Sequence, residues 1–300
     1  MGENINIIEM NFKRLETIEM LQGLTAAGLG KLESDLQLIE LASRYGFDCV
    51  DLDAKSLVDR LGTEEAAALL QSSNIQIGAI GLPVEWRGTD EQFLEGLEKL
   101  PSAAAAAAAL GCTRCCTYIL PSTDAPAAHF MAVATKRLRS CANILGAYGI
   151  RLGLEFVGPH HLRTQWKHPF IWTVQETLDW IDAIGEPNVG LLYDAYHWYT
   201  NEMSVSDIRQ LRADQIVHVH INDAKDIPVQ DVLDNDRLYP GEGVIDLAGF
   251  LRALNDIGYA GPVSQEILTA AQPTASPEEL VIRSRTAFDR VFQAAGLIQQ

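Results

Sequence analysis

Short apolar runs alternate with helix-length segments eight times along this chain, with no break in composition between them. The apolar runs span 18–24, 49–52, 75–80, 114–119, 152–156, 189–193, 216–221 and 263–267, each a length that suits a buried strand. The segments between them carry apolar residues three and four apart, as in Leu36, Ile39 and Ala42 or Val174, Leu178, Ile181 and Ile184, which is the period of a helix with one buried face. Several of these segments end on glycine, at Tyr45-Gly46, Tyr148-Gly149 and Ile257-Gly258, where a left-handed cap strains glycine least. Eight β/α units in succession predict an α/β protein, a single (β/α)8 TIM barrel from residue 17 to 300, with a doubly wound open sheet as the alternative. Residues 1–16 are polar and aperiodic and read as an extension or an arm over the bottom of the barrel.

The charge balance narrows the partners. With 40 acidic against 23 basic side chains the chain carries a net charge of −17, which repels nucleic-acid phosphates and anionic lipid. No apolar segment approaches the roughly 20 residues that a membrane span needs. Five cysteines, an odd number scattered over a long chain, do not form a disulfide framework and fit a reducing compartment. The start, Met1-Gly-Glu-Asn-Ile-Asn, lacks the pattern of a secretory signal, so a cytoplasmic location is expected. A homo-oligomer is compatible with everything above.

Two unusual stretches are read as structural. The seven alanines from Ala103 to Ala109 suit the tightly packed face of the third barrel helix, with Pro101 at its first turn or at a kink. Cys112-x-x-Cys115-Cys116 lacks a second cysteine pair and falls largely inside a predicted strand, so buried thiols are expected rather than a metal or redox motif.

The chemistry concentrates at four consecutive strand ends. Glu155 closes Arg151-Leu-Gly-Leu, Asp194 closes Val189-Gly-Leu-Leu-Tyr, His220 closes Ile216-Val-His-Val, and Glu266 closes Pro262-Val-Ser-Gln. In a closed parallel barrel these ends share one rim, the rim that carries active sites. One such aspartate is ordinarily a helix cap and one such histidine a satisfied core residue, but capping does not explain four in a row. Three carboxylates and one imidazole suit one divalent metal ion, Mn²⁺ first, with Mg²⁺, Co²⁺ and Zn²⁺ as alternatives. A carbonyl beside a carbinol can offer both oxygens to such an ion, which stabilises the charge that develops as an enediolate forms. Glu155 and Glu266 are then the candidate catalytic acid and base, since each can keep one oxygen on the ion and turn the other to the reacting carbon.

Four spaced motifs carry a family resemblance: Leu154-Glu155-Phe156-Val157-Gly158, Asp194-x-x-His197, His218-x-His220-Ile-Asn-Asp223, and Asp236-Arg237-Leu-Tyr-Pro240-Gly-Glu-Gly243-Val-Ile-Asp246. Together they resemble the sugar phosphate isomerase/epimerase family of xylose isomerase-like barrels, most of all its inosose (2-keto-myo-inositol) isomerase branch. The resemblance implies one divalent ion held by Glu155, Asp194, His220 and Glu266, a sugar or inosose substrate, and His197 and Arg237 facing that substrate. His197 reads equally well as an orienter of Glu155, and Arg237 as a salt-bridge partner of Asp234 or Asp236 instead of an anchor for a hydroxyl or phosphate. Glu85 and Trp86, just past the third strand, are expected to wall the substrate pocket. Glu242, in a glycine-flanked turn, is expected to be structural.

Departures refine the reading. The ketose 3-epimerases of the family place an arginine six residues after the metal histidine, where this chain has Asp226. Endonuclease IV, a three-zinc relative, has a histidine where this chain has Arg237, so one metal is expected, not three. The segment 159–170 looks longer than the corresponding loop of the inosose branch. The sequence therefore predicts a metal-dependent isomerase or epimerase of inositol and carbohydrate metabolism. A lyase using the same site, such as an inosose dehydratase or a C-glycoside-cleaving enzyme, is the alternative. A phosphodiesterase on nucleic acid and a sugar-binding barrel with a vestigial site are disfavoured, the first by charge and the second by the complete ligand set.

Overall fold

A computed structural model describes residues 20–298; the predicted extension at 1–16 lies outside the described residues. The predicted barrel is present. Its strands are Leu21–Leu24, Cys49–Val50, a third in two pieces (Gln76–Ile77 and Ile80–Gly81), Arg114–Ile119, Arg151–Phe156, Val189–Asp194, Ile216–Ile221 and Pro262–Gln265. All neighbours in this sheet pair in parallel, and the first strand pairs with the last, Leu21 beside Pro262 and Leu24 beside Gln265. The divided third strand completes the ring. Ile77 pairs with Val50 on one side, and Ile80 pairs with Cys115 on the other. Closure removes the open edges that a doubly wound sheet would retain.

The helices bury their apolar stripes on the outside of this ring. Helix Leu247–Asp256, for example, buries Leu247, Phe250, Leu251 and Leu254, and Phe250 stacks on Tyr193, which points outward from the sixth strand. The alanine run lies in helix Asp90–Ala109, where Ala103, Ala104, Ala106 and Ala107 are buried. Small side chains there let neighbouring helices approach closely. Pro101 stands inside this helix and not in its first turn, so the hydrogen-bond ladder loses one amide there. All five cysteines are free, and Cys115 is fully buried in the fourth strand, as the buried-thiol reading expects.

Beyond the fourth and fifth strands the chain adds a short antiparallel ribbon, Ser122–Thr123 with His168–Pro169, and helix His160–Arg163. These account for the long segment 159–170. Among the described residues no helix is long and apolar enough to cross a membrane.

Candidate metal centre

The fold brings Glu155, Asp194, His220 and Glu266 together, with one ligand atom from each lying within 4.8 Å of all the others. The ladder explains part of this. His220 pairs directly with Asp194 across the sixth and seventh strands, so both side chains point into the barrel at the same height. His220 Nδ1 lies 3.6 Å from Glu266 Oε2, 3.7 Å from Glu155 Oε1 and 4.0 Å from Asp194 Oδ2. Two donors each about 2.1 Å from a common ion stand roughly 3 to 4 Å apart, so these separations fit one ion among them.

Hydrogen bonding makes the same point. Glu155 Oε1 and His220 Nδ1 are buried atoms with no partner in the structure, a cost that buried polar atoms rarely carry unless something else satisfies them. The donor set therefore fits a divalent cation. Asp194 does two things at once: Oδ1 accepts from the Tyr196 amide at 2.6 Å, capping helix Ala195–Thr200, while Oδ2 faces the cluster. Asn222 Nδ2 holds it in place, 3.0 Å from Oδ1 and 3.2 Å from Oδ2.

Sequence reasoning missed the support behind His220. Asp51, just past the second strand, lies 3.4 Å from His220 Nε2 and 2.7 Å from His218 Nε2 through the same oxygen, Oδ2. A carboxylate on the far nitrogen fixes which nitrogen of a ligating imidazole is presented to the ion. His218 sits two residues before His220, on the same face of its strand. The available signal was that Asp51, like the other acids, follows an apolar strand.

Arg237 is buried beside Asp194 and Glu266. Its Nη1 donates to Asp194 Oδ2 at 2.8 Å and to Glu266 Oε2 at 2.9 Å, and its Nη2 to Asp234 Oδ1 at 2.8 Å. The expected partner Asp234 is thus correct. Asp236 pairs instead with Lys225. Arg237 is 4% exposed, engaged by Asp194, Glu266 and Asp234, and not part of the cavity lining. His197 is also buried. The Gly158 amide donates to its Nδ1 at 3.3 Å, and its Nε2 lies 3.4 Å from Arg237 Nη2 and 3.8 Å from Glu155 Oε1.

Glu85 and Trp86 are not brought to the site. Trp86 is 1% exposed, donates from Nε1 to Thr117 Oγ1 at 3.0 Å, and packs edge-on to Trp180. Its apolar surface is consumed in the layer between strands and helices. Glu85 is half-exposed and paired with Arg87. Glu242 binds Arg283, and the turn that contains it is held by the Asp223 carboxylate, which accepts from the amides of Ala224, Gly241, Gly243 and Ile245 at 2.9 Å each. Gly243 is required there, since a Cβ would lie 2.0 Å from the Ala224 carbonyl oxygen.

The burial that surrounds the cluster separates its two outer carboxylates. Burial raises the Glu155 carboxyl above its ordinary value, and the charges of Glu266 and Asp194 add to this against the pull of the nearby His220 and His197 imidazoles. Burial acts on Glu266 too, but His220 and Arg237 outweigh it and hold that carboxyl well below the usual range. For His220, burial is likewise outweighed by Glu266, Asp51 and Glu155, which hold the imidazole well above its ordinary value.

A cavity of about 260 Å³ opens on the cluster at the carboxyl ends of the strands. One wall is Glu155, Leu192, His220 and Glu266; the other, from the first four strands, includes Thr25, Asp51, Leu52, Ile80, Thr117 and Tyr118. A larger cleft of about 620 Å³, lined by Met20, Asp48 and Arg285 among others, lies at the opposite end of the barrel, away from the cluster.

The fold is a closed α/β barrel with a carboxylate and imidazole cluster at its strand ends, and residues 39–288 match the model of the xylose isomerase-like TIM barrel family. The chain belongs to that family. It is 31% identical to an inosose isomerase of Bacillus velezensis over 156 residues, 51% of this chain and 52% of that protein. The chain thus spans about half the length of the curated relatives it matches. The structure of a xylose isomerase domain protein from Alicyclobacillus acidocaldarius superposes with a TM-score of 0.85 at 33% identity, covering 92% of this chain and 99% of that one. The IOLI protein, solved with a zinc atom bound, shares the fold with a TM-score of 0.77 at 22% identity, covering 94% of this chain and all of that one.

Proposed function

We propose that this chain is a divalent-metal-dependent isomerase or epimerase of a keto-polyol or keto-sugar, a single catalytic domain from residue 17, with Mn²⁺ as the ion. The observation that carries the reading is the convergence of Glu155, Asp194, His220 and Glu266, with two unpartnered buried atoms among them, on a cavity at the barrel mouth. When bound there, a divalent ion supplies Lewis-acid stabilisation of the oxygen that becomes an enolate as a neighbouring carbon loses its proton. Glu155 and Glu266 are assigned the proton transfers at that carbon. Both border the cavity, and each can keep one oxygen on the ion and turn the other to the reacting carbon. His197 is assigned to orient Glu155, and Asn222 with Arg237 to hold Asp194.

The test is turnover of inososes and ketoses in D₂O by the Mn²⁺-loaded protein, followed by NMR. The reading predicts a product isomeric with the substrate apart from solvent deuterium on the carbon beside the carbonyl. Complete retention of substrate hydrogen would overturn proton transfer, and loss of water would reassign the site to a lyase.

A further inference from the structure

We infer that Asp51 makes this site selective for uncharged, monosaccharide-sized substrates, and that phosphorylated or carboxylated analogues are rejected. The inference rests on the isomerase reading of the metal centre. Its basis is the division of the cavity into two walls. The ligand wall holds Glu155, His220 and Glu266, and the facing wall presents Thr25, Thr117 and Tyr118 with Leu52 and Ile80 between them. The charge on that facing wall is the Asp51 carboxylate, whose side chain keeps 14% of its surface exposed at the cavity. Its Oδ2 is engaged by both histidines, while Oδ1 has one contact, the Ser264 hydroxyl at 3.2 Å, so it can accept from a substrate hydroxyl.

Apart from the ion itself, an anion has no complementary charge to meet in the cavity lining. Among the described residues that line the cavity none is Lys or Arg. The guanidinium nearest the ligands, Arg237, is held by Asp194, Glu266 and Asp234 and does not reach the cavity. At the rim, Arg87 is bound by Glu85 and the Tyr118 carbonyl and lies over the Tyr118 ring. A phosphate or carboxylate on the substrate would lose its hydration and stand against Asp51 in return, a like-charge contact that selects by exclusion. Hydroxyl groups meet the opposite situation, since Thr25, Thr117, Tyr118 and Asp51 can all hydrogen-bond to them. The volume, about 260 Å³, suits one sugar or cyclitol ring.

The experiment compares kcat/KM of the Mn²⁺-loaded protein for 2-keto-myo-inositol and D-fructose against D-fructose 6-phosphate and 3-dehydroshikimate. The expected result is a preference of roughly 10²-fold or more for the uncharged set. In Asp51→Asn, assayed at saturating Mn²⁺, that ratio should fall at least about tenfold. Lost metal or lost folded enzyme lowers both rates together and leaves a ratio unmoved, so a changed ratio reports the side-chain charge itself. Leu52→Arg, which adds a cation to the same wall, should shift the ratio in the same direction. Equal or better use of the anionic substrates, or a ratio unaltered in both variants, would overturn the inference while leaving the isomerase reading intact. If nothing is turned over, the isomerase reading fails first. The selectivity is then read by thermal shift with myo-inositol against myo-inositol 1-phosphate, and stronger stabilisation by the phosphate overturns it.

Discussion

Arg237 Nη1 lies 2.8 Å from Asp194 Oδ2, so a buried guanidinium grips the same oxygen that faces His220 in the ligand cluster. Four charged groups, Arg237, Asp194, Glu266 and Asp234, are thereby locked in one network. Removing the cation leaves three carboxylates without it. Arg237→Met should destabilise the metal-free protein by about 3–5 kcal/mol, the range for breaking a buried ion pair. Because a divalent ion relieves the same repulsion, the rise in Tm on adding Mn²⁺ should be larger in Arg237→Met than in the wild type. An equal or smaller rise would show that Arg237 and the ion do not share these carboxylates.

Asp51 and His220 define a second prediction. Asp51 Oδ2 stands 3.4 Å from His220 Nε2, behind the nitrogen presented to the cluster. Asp51→Ala should weaken Mn²⁺ affinity roughly 10- to 100-fold, as loss of such outer partners typically does, without changing the number of ions bound. Calorimetric titration of the two proteins checks both numbers. Unchanged affinity would remove Asp51 from the metal centre, and a second ion lost with the side chain would make Asp51 a ligand.

The eight-fold alternation and the four strand-end ligand candidates were legible because both are local patterns. A buried strand that ends on a charged side chain declares itself within six residues, as Val189 to Asp194 does. The rest depended on contacts between distant parts of the chain. Asp51 and His218 are 167 positions apart, and no pattern near either one announces the other. Trp86 misled for a related reason. Its position after the third strand was read correctly, but which way the indole turns was decided by Thr117 and Trp180, which other elements supply. Arg237 was read as having a choice of carboxylates nearby in sequence. Asp194 and Glu266, its partners across the barrel, became visible only with the fold.

The buried thiols set an alkaline limit. Burial pushes the Cys112 thiol up to about 11 and that of Cys141 up to about 12. Unfolded cysteine ionises near about 8.5. A folded value above the unfolded one means that the stabilisation is fully present below about pH 8.5 and is lost as pH rises through 11 to 12. Stability should therefore fall by about 1 kcal/mol per pH unit for each thiol above pH 9. Urea titrations at pH 8, 9 and 10 check this, and a flat midpoint across that range would contradict it.

The proton-transfer assignment predicts that Glu155→Gln and Glu266→Gln each lose roughly 10²-fold or more in turnover, the size expected for removing a general acid or base. Metal content must be measured in the same samples, since both residues are also ligand candidates. Metal-loaded variants with normal rates would show that neither carboxylate moves the proton.

The claim on which all of this depends is that Glu155, Asp194, His220 and Glu266 hold one ion. Titrating the metal-stripped protein with Mn²⁺ tests it most directly. The account predicts a stoichiometry of about one per chain in the wild type and no such site in Asp194→Ala or His220→Ala, with both variants still folded by circular dichroism. Absence of binding in the wild type, or wild-type affinity in the two variants, would contradict it.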